Sequence, residues 1–362
     1  MLIHAEPLAR LITRILEGAG AETDRARVCA DHLVGANLKG HDSHGVGMAP
    51  AYVHWIAGGG LKPNQRGEIV QDSGAVIVVD GGRGLGAVVA KETIDLAIDR
   101  ARRFGVACVA LRNACHIGRI GTYGEQCADA GLVSTHYVNV VGGGPTVAPF
   151  GGREPRMLTN PYCCAIPRAD GDHIVLDFAT SAVAMGKLRV AHMKGEPAPE
   201  GVLVDVDGEP TTDTNTFYAK EPTSFLLPFG LHKGGGLQII CELLGGALAG
   251  HWTMQPKSDR DAGAAINNML SIVINPDALG GRAAYEAEAE AMIAYIRSTQ
   301  PAAGVDRVRL PGDPERETMA ARLAGGILID DNSWASILRA AASVGLDEAA
   351  VLERSRPSPM PG

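Results

Sequence analysis

The sequence predicts an α/β fold in which helices at both ends bracket a strand-rich middle. Three observations carry this. Between residues 75 and 275, short runs rich in Val, Ile and Leu alternate with longer segments of helical pattern. The opening MLIHAEPLARLITRILEGAG spreads charges among periodic apolar positions, as an amphipathic helix does. A chain of 362 residues exceeds what a single hydrophobic core comfortably organises. The simplest arrangement joins residues 1–70 and 300–362 as one discontinuous helical lobe and makes 71–299 a central α/β region.

The elements follow in order. Residues 7–38 read as two helices, the second from about Glu22 with Val28, Leu33, Val34 and Leu38 as its apolar stripe. A polar loop follows, KGHDSHGVGM, and then a short helix over 49–58 that stops at three glycines. AVIVVD (75–80) is a strand, 87–105 a helix closed by Gly105, 106–113 a strand, 124–132 a helix and 132–141 a strand. Further strands are expected at 161–167, 173–178, 202–206, 223–228 and 270–275. Further helices are expected at 181–193, 235–250, 283–298, 314–325 and 333–345. KSDRDAG (257–263) reads as loop and the closing RPSPMPG as tail.

Composition narrows the partners. The net charge is −8 and no Lys/Arg run appears, so there is no basic face for nucleic acid. No apolar run reaches the roughly 18 residues of a membrane span, and the N-terminus lacks the apolar stretch of a signal peptide. The seven cysteines, at 29, 108, 115, 127, 163, 164 and 241, include no CxxC pair and read as reduced, buried small residues of a cytoplasmic protein. A regulatory thiol at Cys115, beside His116, is the alternative.

The stretch VIVVDGGRGLGAVVA (76–90) imitates a dinucleotide fingerprint, since a strand runs through glycines into a helix. The spacing fails, because Gly82, Gly84 and Gly86 give GxGxG. The next strand ends at Arg112–Asn113, so the acidic partner for a ribose is missing too. A plain strand–helix turn is the better reading.

Four stretches could carry chemistry. In HDSHGVG, His44 titrates near neutrality and can move a proton, Asp42 and Ser43 could orient it, and Gly45 and Gly47 permit close approach. A hydrogen-bonded structural histidine is the alternative. In NACHIGRIG, His116 follows a strand directly, and Gly118, Arg119 and Gly121 open the next helix, where anions are commonly held; a helix-capping histidine is the alternative. In IVLDFATSAVAMGK, Thr180 or Ser181 could cap a helix whose free amides take a pyrophosphate. In PFGLHKGGGL, a His-Lys pair precedes three glycines and suits an anionic ligand. His41 and His44 also form HxxH, which with His116 and His136 could ligate zinc, though no HExxH is present.

Taken together, HDSHGV, CHIGRIG, VAPFGG with TNP (147–161), LDFATSA with GK, HKGGGL and RLPGDPE (309–315) resemble the type 2 malate/L-lactate dehydrogenases, in family order along nearly the whole chain. The resemblance implies NAD- or NADP-dependent interconversion of a small-molecule 2-hydroxy acid and 2-oxo acid. It implies a non-Rossmann cofactor fold with a mostly antiparallel central sheet, and a homodimer. It assigns the catalytic work to His44 and His116, with Ser43 beside them. Nucleotide contacts would fall on His44, Gly118, Arg119, Ile120, Val175, Leu176, Asp177, Phe178, Ala179, His232, Lys233, Asn267, Leu310, Pro311, Gly312 and Asp313. One departure is Met48, where many members carry an arginine able to meet the substrate carboxylate; another cation, such as Arg119, must then serve. A metal-dependent lyase or hydrolase built on the same histidines, and a non-catalytic sensor of nucleotide or 2-oxo acid, are the rival functions.

Overall fold

The computed structural model describes residues 1–256 and 263–347; all but Gly263 of the loop expected at 257–263, and the Pro-rich tail, lie outside the described residues. The chain opens with β1 (Leu2–Ile3), α1 (Ala5–Gly18), α2 (Thr23–Leu38) and α3 (Ala49–Ala57). Helix α1 buries Leu8, Leu11, Ile12, Ile15 and Leu16, the i, i+3, i+4, i+7, i+8 stripe that its sequence shows. Then come β2 (Glu68–Asp72), β3 (Val76–Asp80), α4 (Gly86–Phe104), β4 (Val106–Cys115), α5 (Gly121–Asp129) and β5 (Val133–Val141). They are followed by β6 (Tyr162–Ile166), β7 (Ile174–Phe178), α6 (Met185–Lys194), β8 (Leu203–Asp205), β9 (Pro210–Thr211), α7 (Thr214–Phe217) and β10 (Ser224–Leu226). Helix α8 (His232–Cys241) runs into a π-helical stretch, Glu242–Leu248, before β11 (Ile266–Ile274) and α9 (Arg282–Arg297). The chain continues through α10 (Asp313–Gly325), β12 (Ile327–Leu328) and α11 (Asp331–Ser343).

Seven strands form the central sheet in the order β2-β3-β4-β11-β5-β6-β7. The sheet is mixed: β3 and β4 run parallel through the α4 crossover, and the other neighbouring pairs run antiparallel. This amends, at β3–β4, the mostly antiparallel sheet that the resemblance implied. A small sheet, β10-β8-β9, forms its own cluster with Val147, Leu188, Leu203 and Leu226. The first and last strands meet: β1 pairs with β12, and one core holds Leu8, Leu11 and Leu33 together with Ile327 and Ile337. That core also takes in Leu85, Cys115 and Ile266, so it backs directly onto the ends of β4 and β11.

Some elements differ from expectation for physical reasons. Strand β2 is exposed at every position, so it lacks the alternation that reveals a half-buried strand. The helix expected from 235 begins at His232, placing the three glycines inside it. Its π-helical end packs closely on β5: a Cβ on Gly245 or Gly246 would press on Asn139. All seven cysteines are free, and burial pushes Cys29, Cys115, Cys127 and Cys241 up to about 12, so Cys115 offers no reactive thiolate at neutral pH. Among the described residues no helix is long and apolar enough to cross a membrane.

Candidate active site

The polar loop closes into a 3-10 turn, Asp42–His44, with His44 N–H donating to His41 O at 2.9 Å and Gly45 N–H to Asp42 O at 3.1 Å. Asn37, at the end of α2, threads it from inside. Its Nδ2 donates to Asp42 Oδ1 at 2.6 Å and its Oδ1 accepts from Val46 N–H at 2.8 Å. Gly45 lies so close to this side chain that any Cβ would collide with it. Asp42 is therefore spent on the loop and on Arg322, and does not touch the His44 ring. Among the described residues Ser43 makes no side-chain hydrogen bond; Gly186 of α6 packs on its Cβ.

The turn aims His44 at the end of β4. His44 Nδ1 stands 3.2 Å from His116 Nε2, with the rings stacked at 5.2 Å and 13°. On the far side, His116 Nδ1 lies 2.7 Å from the Tyr52 hydroxyl, which α3 presents while its ring stays 1% exposed. The three groups form one chain of hydrogen bonds. His116 is fixed by its backbone as well: Asn267 Oδ1 accepts from Ile117 N–H at 2.9 Å, and Asn267 Nδ2 donates to Asn139 O at 3.1 Å. A Cβ on Gly86 would run into the Cys115 and His116 carbonyls. The last glycine of the Rossmann-like turn thus lets α4 pack on the candidate site's own strand.

Behind the pair lies Arg119, 1% exposed. Its amide donates to His32 Nε2 at 3.0 Å, its guanidinium to Glu125 at 3.0 Å, and Asp177 Oδ2 sits 3.5 Å from its Nε. Burial alone would lower its pKa; Glu125 and Asp177 outweigh that and hold it above its ordinary value. Asp177 Oδ2 also accepts from Gly121 N–H at the start of α5, at 2.9 Å. Neither Thr180 nor Ser181 caps a helix. Thr180 donates to Thr159 O and Asn160 O, Ser181 donates to Val183 O, and α6 starts later, at Met185.

Most of the nucleotide candidates lie around β7, one of the two edge strands of the sheet. Val175 donates its amide to Pro311 O at 3.1 Å, which docks the 310–313 loop beside the strand. Leu310 N–H in turn donates to Asp313 Oδ2 at 2.8 Å. The segment before α8 comes to the other end of β7: Phe229 N–H donates to Thr180 O at 3.0 Å, and the Phe178 and Phe229 rings meet edge-on at 5.0 Å. That leaves His232 and Lys233 exposed in the first turn of α8. Gly118 and Ile120 belong to the turn under His116, and Leu176 is exposed on β7. Asn267, by contrast, is buried in the sheet on Ile117 and Asn139.

The four histidines of the proposed HxxH constellation do not converge. His41 Nε2 meets Glu315 at 3.2 Å, His44 meets His116, and His136 is buried between Ser134 and Ser271. Among the described residues no group of three or more His, Cys, Asp or Glu is placed to hold a metal ion.

Burial decides the protonation states. It lowers His44 to about 4, with His41 and Arg119 adding repulsion, and lowers His116 well below its ordinary value. It takes His32 to about 3 and His136 to about 4. All are neutral at pH 7. Because the unfolded chain binds these protons near 6.5 and the folded chain does not, stability is complete above about pH 6.5 and drains away towards pH 4. His136 alone accounts for on the order of 3 kcal/mol of that loss. Melting temperatures measured from pH 7.5 to 4.5 should fall below pH 6.5, and His136→Gln should flatten the fall; an unchanged slope would overturn this assignment.

The malate/L-lactate dehydrogenase family matches residues 3–338. The chain belongs to this family. It is 44% identical to hydroxycarboxylate dehydrogenase B of Escherichia coli K12 over 95% of this chain and 94% of that one. It is 42% identical to an L-lactate dehydrogenase of Cupriavidus necator over 95% and 97%. The solved sulfolactate dehydrogenase from Methanocaldococcus jannaschii shares 33% identity and a TM-score of 0.86 over 98% and 99% of the two chains. As a family member the chain is an enzyme of the malate/L-lactate dehydrogenase type. Sequence reasoning named His44, His116 and Arg119 but missed Tyr52, Asn37, His32 and Arg322. Tyr52 sits in AYVHWIA, which reads only as an apolar helix face; the others have no local signal at all.

Proposed function

We propose that the protein interconverts a 2-hydroxy acid and a 2-oxo acid with NAD or NADP, and that His44 is the acid/base, backed by His116 and Tyr52. The observation that carries this reading is the unbroken chain Tyr52–His116–His44. The nicotinamide cofactor, when bound, supplies or accepts the hydride. The residues around β7 suit such a group. By strand alternation, the Val175–Pro311 bond turns the backbone of Asp177 to the same open side. Lys233, exposed and without an ion pair among the described residues, and His232 can meet phosphate; Leu176 offers apolar surface. None of these needs the Rossmann-like turn, whose glycines are packed against the protein itself, and this supports a non-Rossmann cofactor site.

The chain of neutral groups has two arrangements. In one, the Tyr52 hydroxyl donates to His116 Nδ1, His116 Nε2–H donates to His44 Nδ1, and His44 Nε2–H is left to donate to a carbonyl oxygen. In the other every bond is reversed, and His44 Nε2 accepts the proton of an alcohol. The first only hydrogen-bonds a carbonyl oxygen; proton transfer runs from the second. On oxidation, His44 Nε2 takes the alcohol proton and becomes the cation, later releasing it to solvent. On reduction the same cation, charged by a proton from solvent, gives its Nε2 proton to the alkoxide oxygen. Burial raises the Tyr52 hydroxyl well above its ordinary pKa, so Tyr52 sets the His116 tautomer and does not ionise. A substrate carboxylate nearby would raise the His44 pKa again and favour its charged, donating form.

Arg119 is enclosed and already met by two carboxylates, so we assign it to holding the turn under His116. The substrate carboxylate falls instead to Lys187, exposed in the first turn of α6 next to Gly186, which abuts Ser43. Met48 packs against the apolar core and supplies no charge. A homodimer is inferred from the apolar surface of α8 and its π-helical extension, where Ile239, Ile240, Leu243 and Leu248 are 44–64% exposed.

A panel of 2-oxo acids run with both reduced cofactors, followed by loss of nicotinamide absorbance, tests the reading. Binding of cofactor without turnover of any 2-oxo acid would make the protein a sensor. Tyr52→Phe should lower kcat about tenfold and shift its pH profile, with cofactor affinity little changed. An unaltered kcat and profile would remove Tyr52 from the chain.

A further inference from the structure

We propose that α10 holds the acid/base loop from outside, with Arg322 acting as a positioning residue for His44 through Asp42, seconded by Glu315 through His41. This rests on the reading of His44 as acid/base. The residues 315, 318 and 322 are spaced i, i+3, i+7 and share one face of α10. Each meets a different part of the loop. Glu315 Oε1 is 3.2 Å from His41 Nε2. Thr318 lies against Gly40, its methyl 3.3 Å from where a Cβ would stand. Arg322 grips the Asp42 carboxylate with both arms, at 2.6 and 3.0 Å, and also donates to Asn37 O.

The two loop residues gripped by α10 are the two that carry the turn. His41 O accepts the His44 amide and Asp42 O accepts the Gly45 amide. A three-residue 3-10 turn has little stiffness of its own. Its position is therefore set by what holds His41 and Asp42, and the 3.2 Å reach from His44 to His116 follows from that. Asp42 is held by donors from Asn37 and Arg322, both remote from the imidazole. The aspartate two residues before His44 acts on the turn, not on the ring. A helix from the far end of the chain thus closes a loop formed near its start, and a misplacement of about 1 Å would cost on the order of 10²-fold in rate.

The test uses the full chain and its Arg322→Ala, Arg322→Lys and Asp42→Asn variants. Turnover of the best 2-oxo acid gives kcat and KM, and ¹⁵N imidazole NMR of the ligand-free protein follows His44, whose signals are identified by their loss in His44→Ala. Arg322→Ala and Asp42→Asn should each lower kcat about 10- to 10²-fold, leave the cofactor KM little changed and shift the His44 signals. The double variant should be no worse than either single one. Arg322→Lys should recover part of the rate, since lysine keeps the charge but loses the two-armed grip. Should Arg322→Ala not fold, Arg322→Lys and Asp42→Asn decide the matter. Normal kcat and unmoved His44 signals in these variants would overturn the proposal, even if His44→Ala is inactive. A nearly active His44→Ala would overturn the reading of His44 instead, while the NMR shifts would still report on the clamp.

Discussion

His44→Ala is expected to lower kcat by about 10²–10⁴-fold, the usual contribution of a positioned acid or base, with far less change in cofactor affinity. The ring is the end of the hydrogen-bonded chain: His44 Nδ1 is turned to His116 at 3.2 Å, so only Nε2 is left for substrate. His116 has no such free atom, since its Nε2 faces His44 and its Nδ1 faces Tyr52 at 2.7 Å. Single-turnover rates for His44→Ala and His116→Ala with one 2-oxo acid separate the two roles. A near-normal rate in His44→Ala with a dead His116→Ala would pass the proton transfer to His116. An external imidazole that restores turnover to His44→Ala would support the assignment further, because the cavity left by the ring is its size.

Arg119→Met is expected to destabilise the fold by about 3–5 kcal/mol, the cost of removing one partner from a buried ion pair. Arg119 is 1% exposed, and Glu125 and Asp177, with side chains 20% and 8% exposed, would be left facing each other. Lys39 would still meet Glu125, so the damage should centre on Asp177. Urea unfolding measures the loss, and adding Asp177→Asn to Arg119→Met should restore part of it. The alternative role, substrate carboxylate binding, makes a different pattern. A loss below about 1 kcal/mol together with a large rise in KM for 2-oxo acids would return the carboxylate to Arg119.

The sequence made much of this protein legible where local physics rules. The amphipathic stripe of α1, the Gly105 stop of α4 and the runs that became β3, β4 and β5 all carry periodicities that one stretch of chain displays alone. Strand β2 carries none because every position is exposed, and the two-residue strands β1 and β12 carry none because their pairing lies wholly in each other, across most of the chain. The glycine spacing at 82–86 argued against a Rossmann turn. It could not show that Gly86 is there for the carbonyls of Cys115 and His116.

The candidate site divides in the same way. Residue type and glycine flanks marked His44 and His116, because an imidazole among small polar residues is unusual for a core. Everything that gives those rings a role came from distance along the chain being cancelled by the fold. Tyr52 reaches His116 across 64 residues, and Arg322 reaches Asp42 across 280. The neutral state of both rings is equally a tertiary property, since desolvation depends on what packs around a group and not on its neighbours in sequence. The sequence by itself determined which groups can do chemistry and which segments form helices and strands, because those follow from side-chain type and period. Only the tertiary structure decided which of those groups meet, which cation is enclosed and which is free, because hydrogen bonds and burial are set by three-dimensional approach.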